Sequence, residues 1–432
     1  MLEPEHEIEL AIEKPAAGGR MLARHEGRIV FVSGAIPGER VRARVERVER
    51  QLAFASTTEV LQASPHRRET GSDLRCGGCS YAHIAYTHQL SLKAELIHEA
   101  FVRLGRIPLE QTVTVLPSPE RGYRMRARFH VRAGQGPSPV RVGFYREGTH
   151  DVCDAGPTGQ LLDDSVAAAT AALAAAHALA HVTSAVLSEN IAANQRVLHL
   201  ESPGETFLPR RALDAALAAG QLTGCSASVA GRTIAAGVPV VEDPLPALTG
   251  GRAGSGVLQR HADAFFQANR YLLPQLVADV LDSVLPAGDI ADLYAGVGLF
   301  SVSLGQSGRE RITAVEGDRP SARDLAQNAS ACGASVRVVN SSVEDYLAAT
   351  GRRADTIIVD PPRTGISRAA METVVRSGPT RVVYVSCDPP TMARDARRLL
   401  DGGYRLASLR AFDLFPNTPH VESVGVFDGG LA

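Results

Sequence analysis

A chain of 432 residues is too long for one ordinary hydrophobic core and divides into two or three domains. Its formal net charge of −2 excludes a uniformly basic nucleic-acid binder, while leaving room for a basic face confined to one domain. The acidic start Met1-Leu2-Glu3-Pro4-Glu5 lacks the basic and apolar regions of a secretory signal, and the uncharged stretch 165–188 is Ala-rich rather than Leu/Ile/Phe-dense. A cytoplasmic protein without a membrane partner is therefore expected. Its six cysteines are then read as reduced, serving packing, metal ligation or catalysis rather than a disulfide framework.

Residues 7–62 read as short strands punctuated by Gly and Pro turns, a pattern that favours a small β-barrel. In Val41-Arg42-Ala43-Arg44-Val45-Glu46-Arg47-Val48, apolar and charged residues alternate, which places Arg42, Arg44 and Glu46 on one face. That face suits a solvated strand as well as an RNA contact. The turns Gly18-Gly19-Arg20-Met21 and Ile36-Pro37-Gly38-Glu39 resemble those of the TRAM domain, a small RNA-binding barrel, so residues 1–62 are taken as the first domain.

Residues 63–255 are taken as a second, RNA-binding domain. Cys76-Gly77-Gly78-Cys79 fits half of a metal site, a redox pair or chance, and Cys153 is the natural third ligand to add. A helix is predicted over 86–104 from the spacing of Leu90, Ala94, Ile97 and Phe101. In the strand that follows, Arg124, Arg126, Arg128 and His130 share one face while Met125, Ala127 and Phe129 point inward. No acid falls between Arg121 and Arg146, so contact with RNA phosphates is preferred over a balanced surface strand. Residues 160–255 read as Ala-rich helix, strands and turns without chemistry.

From residue 256 strands alternate with helices. Strands at 289–294, 312–315, 356–359 and 381–385 imply a parallel, doubly wound sheet with functional loops at its carboxyl ends. Gly296 and Gly298 after the first strand permit close approach of a ligand, and Glu316 ends the second strand, where a carboxylate can accept hydrogen bonds from a ribose diol. A nicotinamide cofactor would use both features. The third glycine of the dinucleotide fingerprint is missing, however, and S-adenosylmethionine, with a ribose but no pyrophosphate, fits better. Asp360-Pro361-Pro362-Arg363 ends the next strand, with Asp360 directed at the cofactor crevice, and Cys387 ends the one after. A free Cys is ordinarily a small buried hydrophobe. A strand end on the cofactor edge favours a nucleophile instead.

Methylating C5 of uracil needs such a thiol, because C5 becomes nucleophilic only after a nucleophile has added at C6, and a base must then remove the C5 proton. Glu422, in His420-Val421-Glu422, is the candidate base. These residues resemble the RNA uracil-C5 methyltransferases, which make 5-methyluridine in tRNA and ribosomal RNA, over nearly the whole chain. Phe265-Phe266-Gln267-Ala268-Asn269 matches the family's helix before the Rossmann-like domain and implies Gln267 as a cofactor contact. Asp292-Leu293-Tyr294-Ala295-Gly296-Val297-Gly298 matches its cofactor loop and implies Tyr294. Tyr384-Val385-Ser386-Cys387-Asp388-Pro389 and Phe415-Pro416-Asn417-Thr418-Pro419-His420-Val421-Glu422 match its nucleophile and base motifs.

The resemblance implies a small β-barrel, a central α+β domain and a C-terminal α/β class I methyltransferase domain over 256–432. It also implies an RNA partner and a monomer. Ribosomal RNA is favoured over tRNA, since some tRNA-specific members lack the barrel. Members with an iron–sulfur cluster use four cysteines; Cys76, Cys79 and Cys153 supply three, and Asp73, near the missing position, is an unusual substitute for a thiolate. An RNA cytosine-C5 methyltransferase is the nearest alternative, disfavoured because Arg363 stands where those enzymes usually carry a second Cys. A non-catalytic RNA-binding protein on a retired methyltransferase fold is disfavoured by Cys387, Glu422 and Gln267.

Overall fold

The structure is a computed structural model and describes residues 2–134, 140–202, 208–229, 232–349 and 354–430. Strands β1 (Glu7–Pro15), β2 (Met21–His25), β3 (Arg28–Ser33), β4 (Arg40–Val48) and β5 (Leu52–Gln62) close into a barrel in the order β1-β2-β3-β5-β4. The alternation in β4 sets its two faces: Val41, Ala43 and Val45 are fully buried, while Arg42 and Arg44 turn outward. There they meet Glu9, Glu59 and Glu7, so this face is a neutralised, solvated one. The barrel core is completed by Tyr81, Ile84 and Leu92 from the next segment.

Leu92 belongs to α1 (Tyr86–Glu99), which continues as one wider turn through Ala100–Leu104 and leads to the short strand β6 (Val115–Leu116). The central sheet follows: β7 (Arg126–Ala133), β8 (Val140–Tyr145), β9 (Val152–Asp154), α2 (Asp163–Leu179), β10 (Ser184–Glu189), β11 (Arg196–Glu201), α3 (Arg210–Ala219), β12 (Gly224–Val229) and β13 (Arg232–Gly237). Its order is β13-β12-β11-β10-β7-β8-β9. The Ala-rich stretch is a packed helix as far as Leu179 and then a strand, β10. Ala169, Ala172 and Ala176 are small enough to bring α2 close to α3 and to Phe129 and Leu187 on the sheet. Among the described residues no helix is long and apolar enough to cross a membrane.

A hairpin of β14 (Val240–Pro244) and β15 (Val257–His261), with the single turn α4 (Leu245–Leu248) between them, leads to α5 (Leu273–Ser283). Phe265-Phe266-Gln267-Ala268-Asn269, expected as a helix, is instead irregular and extended. Asn269 forms a bridge with Arg124, donates to Ser118 Oγ and the Leu414 carbonyl, and accepts from the amides of Tyr271 and Leu272. These long-range bonds replace the local ones a helix would offer.

The last part alternates β16 (Ile290–Leu293), α6 (Leu299–Gln306), β17 (Ile312–Glu316), α7 (Arg319–Ala331), β18 (Val336–Asn340), α8 (Val343–Ala349), β19 (Thr356–Val359), α9 (Arg368–Ser377), β20 (Arg381–Ser386) and α10 (Pro389–Asp401), then ends in β21 (Tyr404–Phe412) and β22 (Glu422–Gly429). The sheet order is β18-β17-β16-β19-β20-β22-β21-β6, with the first five strands parallel and β22 antiparallel to both its neighbours. Strand β19 is buried at every position, as expected where helices cover both faces of a parallel sheet. Because β6 pairs with β21, the segment carrying α1 and β6 joins this sheet and not the central one.

Candidate active site

The carboxyl ends of β16, β17, β19 and β20 form one rim. After β16 the chain turns through Tyr294, whose φ of 63° is left-handed, an uncommon and strained conformation for an aromatic residue. Gly298 must stay glycine: its φ is +94°, and an added Cβ would lie 2.5 Å from Leu325 Cδ1. Gly296 has open space where a Cβ would be, and its amide donates to Glu316 Oε2 at 2.7 Å. Gln267 Nε2 donates to Asp360 Oδ2 at 3.4 Å, so the segment before α5 reaches the end of β19.

Burial pushes Asp360 and Asp292 up to about 7 each. Asp292 accepts from the Ser301 amide through Oδ2, while its buried Oδ1 has no hydrogen-bond partner. Three carboxyl groups, Asp292, Glu316 and Asp360, therefore surround an open glycine turn. This set of acceptors and negative charge fits S-adenosylmethionine, which carries a sulfonium, an ammonium group and a ribose diol.

Ser386 and Ser423 are the last pair of the β20–β22 ladder, so the next residues outward, Cys387 and Glu422, come opposite one another. Cys387 is half-buried and directly precedes Asp388, the N-cap of α10, which accepts from the Thr391 amide at 3.0 Å. Burial first, and the charge of Glu422 second, push its thiol up to about 11; the positive charge of Arg363, which lines the same cavity, and the positive end of α10 act in the opposite direction. Glu422 is 2% exposed. Burial, then the negative charge of Asp360, raises its carboxyl well above the usual range, with Arg363 opposing.

Arg363 was not singled out for a role by sequence. The loop 360–366 is fixed to α10: Thr391 Oγ1 donates to the Arg363 carbonyl at 3.1 Å, Arg394 to the Thr364 carbonyl at 2.9 Å, and the Ile366 amide to Asp395 Oδ2 at 3.3 Å. The helix that follows Cys387 thus also places the arginine beside it. A second undetected set holds the loop before Glu422. Lys93, fully buried on α1, pairs with Asp413 and donates to the Phe415 carbonyl at 3.0 Å. Gln89, one turn earlier, donates to Asn417 Oδ1 and accepts from the Asn417 amide, both at 2.9 Å. Their separation from that loop by more than 300 residues hides them from any local pattern.

Two cavities meet at this site. One, about 390 Å³, is lined by Cys387, Arg363 and His420 together with Lys14 and Gly18 of the barrel. The other, about 530 Å³, is lined by Arg363, His420, Phe415, Arg124 and Tyr145 as well as barrel residues. Gly19 seats the barrel on the loop before Glu422, since a Cβ there would lie 2.9 Å from Pro419 Cγ.

The basic stripe is less uniform than expected. Arg124 binds Gln160 Oε1 at 2.7 Å, Arg126 donates to the Ala264 carbonyl at 3.0 Å and lies 5.6 Å from the Phe265 ring, and Arg128 pairs with Glu201. The acid absent from the local sequence comes from β11, two strands away in the sheet across β10.

Cys76, Cys79 and Cys153 do come together, around a cavity of about 230 Å³. Cys76 and Cys153 are joined as a disulfide across a Cα–Cα distance of 6.0 Å, which corrects the expectation that all six cysteines are free. Burial pushes the remaining thiol, Cys79, up to about 11. Asp73 is held by Arg146 Nε at 2.6 Å, which keeps its carboxyl below the usual range. One protonated thiol, one disulfide and one ion-paired carboxylate do not fit a cluster that binds four thiolates. Among the described residues no group of three or more His, Cys, Asp or Glu side chains is arranged to hold a metal. The iron–sulfur expectation is therefore not supported.

Comparison with known proteins points the same way as the residues on this rim. The family described as tRNA (Uracil-5-)-methyltransferase matches residues 253–428, and the TRAM domain matches residues 4–58. A 23S rRNA (uracil(1939)-C(5))-methyltransferase RlmD from Pseudomonas putida is 32% identical over 436 residues, covering 98% of this chain and 93% of that protein. An uncharacterized RNA methyltransferase from Thermosynechococcus vestitus is 30% identical over 97% of both chains. The crystal structure of Pyrococcus abyssi tRNA (uracil-54, C5)-methyltransferase in complex with S-adenosyl-L-homocysteine shares the fold, with a TM-score of 0.75 at 22% identity over 97% of this chain and 99% of that one. The chain is a member of the S-adenosylmethionine-dependent RNA uracil-C5 methyltransferase family, carrying an N-terminal TRAM domain.

Proposed function

We propose that the protein methylates C5 of a uridine in 23S ribosomal RNA through a covalent bond between Cys387 and C6 of the base. The observation that carries this is the opposition of Cys387 and Glu422 at the end of the β20–β22 ladder, with Arg363 lining the same cavity as the thiol. S-adenosylmethionine, when bound, supplies an electrophilic methyl group. Gln267, Tyr294, Gly296, Glu316 and Asp360 are the residues assigned to hold it.

Arg363 and the N-terminus of α10 favour loss of the thiol proton against the effect of burial. The Cys387 sulfur then bonds to C6, and the C5–C6 π pair shifts toward the C4 carbonyl, which makes C5 an enolate carbon able to take the methyl. Glu422 next removes the C5 proton. The freed pair rebuilds the C5–C6 double bond as the sulfur–C6 bond breaks, and the thiolate is returned. A carboxyl whose basicity is raised by burial and by Asp360 is suited to that proton transfer.

Support for ribosomal RNA over tRNA comes from the 32% identical RlmD relatives that align with nearly the whole chain. Incubation with labelled S-adenosylmethionine and separate rRNA and tRNA lacking 5-methyluridine tests this. Label in 23S rRNA that disappears with Cys387→Ala is expected. Label in tRNA alone, or methylation that survives Cys387→Ala, would overturn the target or the mechanism respectively.

A further inference from the structure

On the central sheet, His130 of β7 pairs with Gly143 of β8, and Tyr145 lies two residues further along β8 on the same face. With no side chain across from it at Gly143, the imidazole lies flat on the neighbouring tyrosine. The ring centroids are 3.6 Å apart and the planes within 11°. His150 meets Tyr145 edge-on at 5.4 Å, and Arg132 holds its guanidinium 5.9 Å from the same ring and donates to its hydroxyl.

These side chains lie outside the core. The opposite face of the two strands supplies Phe129, Val131, Val142 and Phe144 to it, whereas His130 and Tyr145 are half-buried and Arg132 and His150 exposed. Partial burial and the charges of Arg128 and Arg132 keep His130 below its usual range, so the stacked imidazole is uncharged near neutral pH. Stacked π faces beside a guanidinium at a water-exposed sheet surface are the means by which proteins hold unpaired bases.

The place of this stack in the molecule gives it a partner. Tyr145 lines the 530 Å³ cavity whose other walls include Arg363 and His420, and these two residues also line the adjoining cavity that holds Cys387. Chemistry at C5 and C6 requires a base drawn out of its stack, which leaves the adjacent nucleotides without a neighbour. We propose that the His130–Tyr145 stack, flanked by Arg132 and His150, is a platform on which an unpaired base of the substrate RNA close to the target uridine stacks. The proposal rests on RNA being the substrate, and it assigns to the central sheet a contact with bases, distinct from any contact of its arginines with phosphates.

The test uses the full-length protein and a fluorescein-labelled single-stranded RNA oligonucleotide of mixed sequence, with a matched oligonucleotide carrying abasic sites. Tyr145→Leu and His130→Ser should each weaken binding of the intact RNA about tenfold, while Tyr145→Phe stays near wild type. Binding of the abasic RNA should not separate these variants, and the salt dependence should be unchanged because no phosphate contact is lost. S-adenosylhomocysteine affinity, expected to be equal in all of them, reports that the fold is intact. Intact-RNA affinities of Tyr145→Leu and His130→Ser within about twofold of wild type would overturn the platform alone. Failure of the wild-type protein to bind RNA at all would overturn the RNA assignment and the platform with it.

Discussion

Replacing Glu422 by Gln separates the two halves of the proposed reaction. The carboxyl is 2% exposed and raised in pKa by burial and by Asp360. A carboxyl with a raised folded-state value contributes stability below its unfolded value, near 4.5, and loses that contribution as pH rises through the folded value. Glutamine keeps the shape without the charge, so at neutral pH and above the variant should be at least as stable as wild type.

Attack by Cys387 and methylation of C5 do not use Glu422, but proton removal does, and a positioned base contributes about 10²–10⁴ in rate. Steady-state turnover should therefore fall by about that factor while the Cys387–RNA adduct accumulates. After incubation with RNA and methyl-labelled S-adenosylmethionine, a denaturing gel should show label in a slower protein–RNA band, which Cys387→Ser added to Glu422→Gln removes. Turnover within about tenfold of wild type, or a folded variant that forms no adduct, would refute the assignment of Glu422 as the C5 base.

Two further outcomes follow from buried charge. Lys93→Met leaves the Asp413 carboxyl buried without its cation and should cost about 3–5 kcal/mol in chemical denaturation, largely recovered by adding Asp413→Leu; a loss below about 1 kcal/mol would show that the pair does not hold the loop. Asp292 and Asp360, both pushed up to about 7, should make binding of the cationic S-adenosylmethionine strengthen relative to neutral S-adenosylhomocysteine as pH rises through that value, by up to about tenfold per unit for one coupled proton. Calorimetric titration of both ligands on either side of neutrality checks this, and a constant affinity ratio would place the two carboxyls away from the sulfonium.

The rim that carries the candidate site was legible because of how parallel strands are buried. With both faces covered, β16, β17, β19 and β20 read as short, mainly apolar runs, and the residues at or just past the end of each run mark the rim. That reading set Gly296, Glu316, Asp360 and Cys387 at or just past the strand ends, which is where the structure has them. The same local reading fails wherever a partner is distant. Phe265-Phe266-Gln267-Ala268-Asn269 resembles a helix until Asn269 is seen bonded to Ser118 and Leu414. Alternation along β7 gave the arginine face correctly but could not reveal Glu201, 73 residues on from Arg128.

The most consequential hidden contacts are those made by α1. This helix contributes Leu92 to the barrel core and Ile97 to the core beneath the catalytic sheet, and through Gln89 and Lys93 it binds the loop that ends at Glu422. The barrel, in turn, rests Gly19 on Pro419 of that loop. A change that loosens the barrel is thereby transmitted to the proposed base through two packed routes, one along α1 and one through Pro419. The TRAM domain of this protein is thus physically part of the wall around Cys387, and its removal should lower turnover as well as RNA affinity.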